Sequence, residues 1–243
     1  MPSRDVTLDH VAIQHRLNVI RGNIERACER SGRSPSEVTL IGVTKTFPIS
    51  AVHLAVEAGL THLAENRVQD LAEKAAAVPG ILRDGRVAWH MIGHLQRNKA
   101  KDVVDHADYF HALDSQRLAK ELNSRARQET RILPCLVQVN VSEEESKYGL
   151  APDKVHSFLD CLEPYEHLRV DGLMTIASFV EDPEMVRPEF RRLRQISEAY
   201  DASRSPRVNM RHLSMGMSGD YEVAIEEGAT HVRIGSAIFG ARR

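Results

Sequence analysis

One pattern constrains this chain more than any other: a short apolar, β-branched run followed by an amphipathic stretch, repeated eight times. Strand-like runs lie at 38–43, 60–64, 87–92, 109–113, 132–139, 168–174, 210–213 and 231–234. Helical patterning follows over Ile49 to Ala58, Arg67 to Val78, Leu95 to His106 and Ser115 to Gln128, and again from near Pro152, Asp182 and Asp220. Such alternation predicts parallel strands joined by crossover helices. Eight units in about 200 residues suit a closed (β/α)8 barrel better than an open doubly wound sheet, which gives similar local signals and stays as the alternative. Ahead of the first strand, Ile13, Leu17, Ile20, Ile24 and Ala27 recur at spacings of three and four. A leading helix is therefore expected over Asp5 to Ser31, closed by Gly32.

The chain has 243 residues, 42% of them hydrophobic, enough for a sizeable core, and no Pro/Gly/Ser-rich linker or charge block divides it. One domain over residues 1–243 is expected. The 32 basic and 34 acidic side chains leave a formal net charge of −2, so no global field draws the chain to nucleic acid or to an anionic membrane. Glu143, Glu144 and Glu145, and the stretch with Arg187, Arg191, Arg192 and Arg194, read as solvated faces. Three cysteines without a C-x-x-C pair argue against a disulfide framework or structural zinc and fit a reducing cytosol. With no apolar h-region after Met1 and no run of about 18 apolar residues, the expectation is a cytoplasmic protein, neither secreted nor membrane-spanning.

In a (β/α)8 barrel, reactive groups stand just after the strands. Lys45 follows the first apolar run, and a lysine at the barrel mouth is partly desolvated, which favours the neutral amine that attacks an aldehyde. A surface lysine that merely ends a strand is the competing reading. The last strand-like run leads straight into Gly235 and Ser236, then Ala237-Ile-Phe-Gly240. A glycine that lets backbone N–H groups approach an anion, beside a hydroxyl at a helix start, suits a phosphate, and barrels often hold one after strands seven and eight. Leu213-Ser-Met-Gly-Met-Ser-Gly219 opens a helix in the same way and brings Ser214 and Ser218 to that face, although plain strand-to-helix turns would read alike. Together with Lys45, these turns describe a site for a phosphorylated aldehyde. By alternation Arg233 points to the same side as His231 and away from Val232 and Ile234. An arginine facing a pyridine nitrogen keeps it unprotonated, because guanidinium only donates, and an unprotonated pyridine is a poor electron sink.

Other signals carry less. His90 and His94 are four apart, but Gly93 lies between them and no third ligand is suggested, so no metal is expected. Gly216-Met-Ser-Gly-Asp220 lacks the final glycine of a nucleophile elbow, and neither a P-loop nor a G-x-G-x-x-G turn is present. The twelve histidines read as scattered capping, packing or surface groups.

Several segments closely resemble the pyridoxal phosphate homeostasis protein family, small single-barrel proteins akin to the N-terminal domain of alanine racemase. They are Val43-Thr-Lys-Thr-Phe-Pro48, Ala64-Glu-Asn-Arg-Val-Gln-Asp70, the stretches 89–99 and 138–150, Gly172-Leu-Met-Thr-Ile-Ala177, and 213–220 with 232–240. The resemblance implies a (β/α)8 fold and pyridoxal 5′-phosphate (PLP) held as an imine on Lys45. It implies phosphate contacts from Ser218, Gly235 and Ser236 with Ser214 nearby, Arg233 at the pyridine nitrogen, and Asn66 beside the cofactor. Phe47 stands where the family often has lysine or valine, and Ala64 and Ala177 where glycine is common. Such proteins buffer or deliver the cofactor without ordinary turnover, with PLP-dependent apo-enzymes as recipients. A monomer is compatible with a closed barrel. A PLP-dependent amino-acid racemase and a phosphosugar-type enzyme with a lysine imine stay as alternatives, although the chain offers no second, β-rich domain to supply a racemase's tyrosine base.

Overall fold

A computed structural model describes residues 9–80 and 85–240. The leading helix α1 (His10–Ser31) starts where the Asp9 carboxylate accepts the Ala12 N–H at 2.7 Å. That cap explains its start at His10; the expected residues 5–8 lie outside the described residues. It ends at Gly32 in the left-handed region, with Arg33 N–H donating to Cys28 O at 2.9 Å. The anticipated stripe of Ile13, Leu17, Ile20, Ile24 and Ala27 is buried.

Eight strands then alternate with helices: β1 (Thr39–Val43), α2 (Ile49–Glu57), β2 (His62–Glu65), α3 (Val68–Ala77), β3 (Ala88–Met91), α4 (Ala100–His106), β4 (Tyr109–Leu113), α5 (Gln116–Gln128), β5 (Leu133–Gln138), α6 (Val155–Asp160), β6 (Leu168–Met174), α7 (Arg187–Glu198), β7 (Val208–Ser214), α8 (Tyr221–Glu226), β8 (His231–Ile234) and α9 (Ser236–Phe239). All pairs are parallel, and β8 closes on β1 through Thr39–His231 to Gly42–Ile234, which makes a barrel and excludes the open sheet. Several expected elements shift: β2 spans His62–Glu65 where 60–64 is expected, and α7 begins at Arg187 only after a 3-10 turn at Pro183–Val186. The segment from Leu95 reaches α-helical geometry only at Ala100, after a 3-10 turn at Arg97–Lys99. Strand β7 runs two residues further back than its apolar pattern, because Asn209 holds the Asp171 carboxylate of β6 and so stays in the sheet.

Most of the core lies between the barrel and its helices, with Trp89, Phe110, Phe190 and Phe239 fully buried. The barrel interior departs from the branched apolar filling usual in this fold. Ile41, Val43, Ala64 and Ile92 form a small apolar cluster of their own, and much of the remaining interior is imidazole: His90, His111 and His231 are buried, with His62 and His212 beside them. The histidines thus converge, contrary to the scattered reading. They come from five different strands, a convergence that only barrel closure creates.

Candidate functional site

Lys45 is the second residue of a turn closed by Phe47 N–H donating to Thr44 O at 3.0 Å. Thr46, at the third position, has φ +70°, the left-handed value that such a turn demands there and that costs a β-branched residue strain. The surroundings enforce it. Lys74, on α3, donates to Thr44 O at 2.8 Å and to Glu65 Oε1 at 2.6 Å, and Thr44 Oγ1 donates to the same carboxylate oxygen at 2.6 Å. All three residues are buried, so this ion pair fixes the carbonyl from which the Lys45 turn departs. Burial raises the Glu65 pKa, with Lys74 and Thr44 pulling against that rise.

Phe47 closes the other side of the turn. Its ring lies 5.1 Å from that of Phe239 in α9, so the segment carrying Lys45 is packed against the helix that follows the final strand. A Cβ on Gly235 would meet Val43 O at 3.3 Å, a tight approach that keeps the end of β8 against the end of β1. There Ser218 Oγ accepts the N–H groups of Gly235 at 3.3 Å and Ala237 at 3.4 Å. Two backbone donors therefore converge on one oxygen position, with the exposed Ser236 between them. An oxyanion fits such a cradle, because Ser218 becomes a third donor once its oxygen is replaced.

Arg233 enters the barrel from β8, as its alternation predicts. It is buried, donating from one terminal nitrogen to Ser214 Oγ at 2.6 Å and from the other to Thr175 O at 2.7 Å. Burial lowers its pKa to about 10, so it stays a cation at neutral pH, with Asp220 supporting the charge from a distance. Ser214 is fully buried and committed to Arg233 and to His111 Nδ1 at 3.0 Å, which sets it apart from the Ser218 turn. Asn66 is half-buried just beyond β2. A Cβ on Gly93 would lie 2.1 Å from Asn66 O, so only glycine lets the end of β3 approach the Asn66 backbone this closely.

The structure thus brings Lys45, Ser218, Gly235 and Ser236 to the abutting ends of β1, β7 and β8, with Arg233 and Ser214 beneath. Sequence reasoning missed the groups that support them: Glu65, Lys74, Thr175 and the histidines behind Ser214. A weak signal existed, since His62, His90, His111 and His231 each sit within or at the start of a strand-like run. His90 and His94 part company: the first is sealed in the barrel, while the second stacks on Tyr148 with ring centroids 4.0 Å apart.

The alanine racemase N-terminal domain family model matches residues 16–243. A pyridoxal phosphate homeostasis protein of Aquifex aeolicus is 41% identical over 228 residues, covering 94% of this chain and 97% of the relative. Among solved structures, a protein of Bifidobacterium adolescentis described as unknown superposes with a TM-score of 0.88 at 33% identity, covering 98% of each chain. PipY of Synechococcus elongatus, solved with PLP bound, superposes with a TM-score of 0.79 at 32% identity, covering 94% of this chain and 100% of that one. The chain belongs to the alanine racemase N-terminal domain family and, within it, to the pyridoxal phosphate homeostasis proteins.

Proposed function

We propose that this protein holds pyridoxal 5′-phosphate reversibly as a reserve for vitamin B6 homeostasis in a reducing cytoplasm, with PLP-dependent apo-enzymes as recipients. The observation that carries this reading is the juxtaposition of the constrained Lys45 turn with the two converging N–H donors at Gly235 and Ala237. When bound, the cofactor supplies an aldehyde for the Lys45 amine and a phosphate for that cradle. Ser218, Gly235 and Ser236 take the phosphate, Arg233 faces the ring nitrogen, and Asn66 lies alongside. Ser214 acts through Arg233. Because guanidinium only donates, Arg233 leaves a pyridine nitrogen without a proton and weakens the ring as an electron sink, which suits storage better than turnover.

An absorbance spectrum from 300 to 500 nm, taken before and after borohydride, with mass spectrometry of the Lys45 peptide, tests this. The expected result is a visible imine band that reduction fixes as a pyridoxyl adduct on Lys45, and its loss in Lys45→Ala. A protein that stays colourless and unlabelled after incubation with the cofactor, or an unchanged band in the variant, would sink the reading.

A further inference from the structure

Behind Arg233 runs an unbroken row of hydrogen bonds. Arg233 donates to Ser214 Oγ, Ser214 Oγ meets His111 Nδ1 at 3.0 Å, His111 Nε2 meets His90 Nδ1 at 2.8 Å, and His90 Nε2 meets His62 Nδ1 at 2.9 Å. The row starts on β8, touches β7, β4 and β3, and ends on β2, where half-buried His62 lines a cleft at the start of the strands with Arg21, Thr39 and Gly59. Strands β4 and β7 are not neighbours, so the row crosses the barrel interior.

A buried guanidinium ordinarily needs a carboxylate, since desolvating an unpaired cation is costly. Among the described residues Arg233 has no ion pair within 4.0 Å, and its two hydrogen-bond acceptors are uncharged. The row supplies what a carboxylate would. Arginine can only donate, so Ser214 Oγ accepts from Arg233. Among the described residues the only other partner of that oxygen is His111 Nδ1, so the hydroxyl proton goes to that nitrogen. A neutral imidazole that accepts at Nδ1 carries its proton on Nε2, and the same step repeats at His90 and His62. Every lone pair then faces the cation and every N–H points away from it. The opposite polarity would aim three N–H dipoles at a buried positive charge and leave the Ser214 proton without a partner.

We propose that His111, His90 and His62 are positioning residues for Arg233, an uncharged column held in the Nε2–H form that steadies the guanidinium without a carboxylate. The column leaves Arg233 a full cation whose remaining donors are not drawn to a counter-ion, as a group facing the cofactor ring requires. This rests on the cofactor reading given above. Burial supports the neutral state, holding His90 and His111 well below the ordinary imidazole value, with neighbouring histidines adding to the effect.

Long-range 1H–15N spectra of histidine-labelled protein, free of cofactor at pH 7, test the proposal. The expected result is the Nε2–H tautomer at all three positions; a proton on Nδ1 of any of them reverses the column and overturns it. In Arg233→Met the orienting charge is gone, and His111 is expected to lose its single tautomer. His156, whose Nε2 donates to Ile196 O, should keep its own. An unchanged column in the folded variant overturns the link to Arg233, and the spectrum of the unaltered protein stands whether or not that variant folds. In loaded protein, His111→Leu is expected to release PLP about tenfold faster while borohydride still fixes it on Lys45, the lower end of what losing an outer hydrogen-bond partner costs at metal sites. Unchanged release overturns the supporting role. Failure to label Lys45 in the unaltered protein would instead sink the cofactor reading and leave the tautomer result standing.

Discussion

Lys74 and Glu65 show how much of the presentation of Lys45 is decided beneath it. The two are buried and share Thr44 with a turn whose third residue has positive φ, a conformation that persists only where its surroundings over-determine it. Lys74→Met leaves Glu65 buried without its cation, and breaking a buried pair from one side costs about 3 kcal/mol. The loss has a pH signature. The folded pKa of Glu65 is already raised by burial and rises further without Lys74, so the stability tied to its protonation is present below its unfolded value and lost as pH rises through the folded one. Urea unfolding of Lys74→Met should therefore show a larger deficit at pH 8 than at pH 5. Replacing Glu65 by leucine in the same chain should recover much of it. A deficit equal at both pH values would mean that lost packing, and not an uncompensated carboxylate, is responsible.

At the scale of elements, Arg187, Arg191 and Arg194, read with Arg192 as a solvated face, fasten α7 to the end of α8, while Arg192 stays exposed beside Glu143. Arg187 and Arg191 donate to Glu227 at 3.2 and 2.8 Å, Arg194 lies 3.4 Å from the same carboxylate, and Arg187 also reaches Glu226 at 2.6 Å. Glu227 is buried; burial works to raise its pKa, but Arg191 and Arg187 outweigh that and lower it. Glu227→Gln is expected to cost about 2 kcal/mol and, for a chain of this size, about 5 °C in Tm. A thermal scan with no shift would return these arginines to the solvent. The example shows what was legible and what was not. Strands β4, β6 and β8 fall at their expected bounds although Arg169, Asp171 and Arg233 interrupt the apolar pattern of the last two, and the placement of Lys45, Ser218, Gly235 and Ser236 was legible because a barrel puts chemistry at strand ends. A helix face shows only its own periodicity, so Arg187 does not announce Glu227, 40 residues away. Likewise His111 and Ser214 are 103 residues apart, and only closure of the sheet makes them partners.

For the whole molecule, a barrel filled with neutral imidazole has a definite acid limit. His90, His111 and His231 are buried, and burial depresses all three, His231 to about 3, with nearby histidines adding to the effect at each and Arg233 at His111 and His231. A group whose folded pKa is depressed contributes stability that is present above its unfolded value, near 6.5 for histidine, and lost as pH falls toward the folded one. Falling pH therefore costs stability through each of the three, a cost set against the roughly 5–15 kcal/mol by which domains are stable. Carboxyls raised by burial, Glu65, Asp114 and Asp220, run the other way and regain stability as pH falls through their folded values, which softens the slope. Unfolding free energy measured in urea should therefore fall between pH 7 and pH 5. The column itself is isolated by His111→Leu, which removes one titrating group and should flatten the fall. A parallel pair of curves would mean that His111 takes up its proton in the folded state as readily as in the unfolded chain, and a column that accepts charge so easily could not be what steadies a buried arginine.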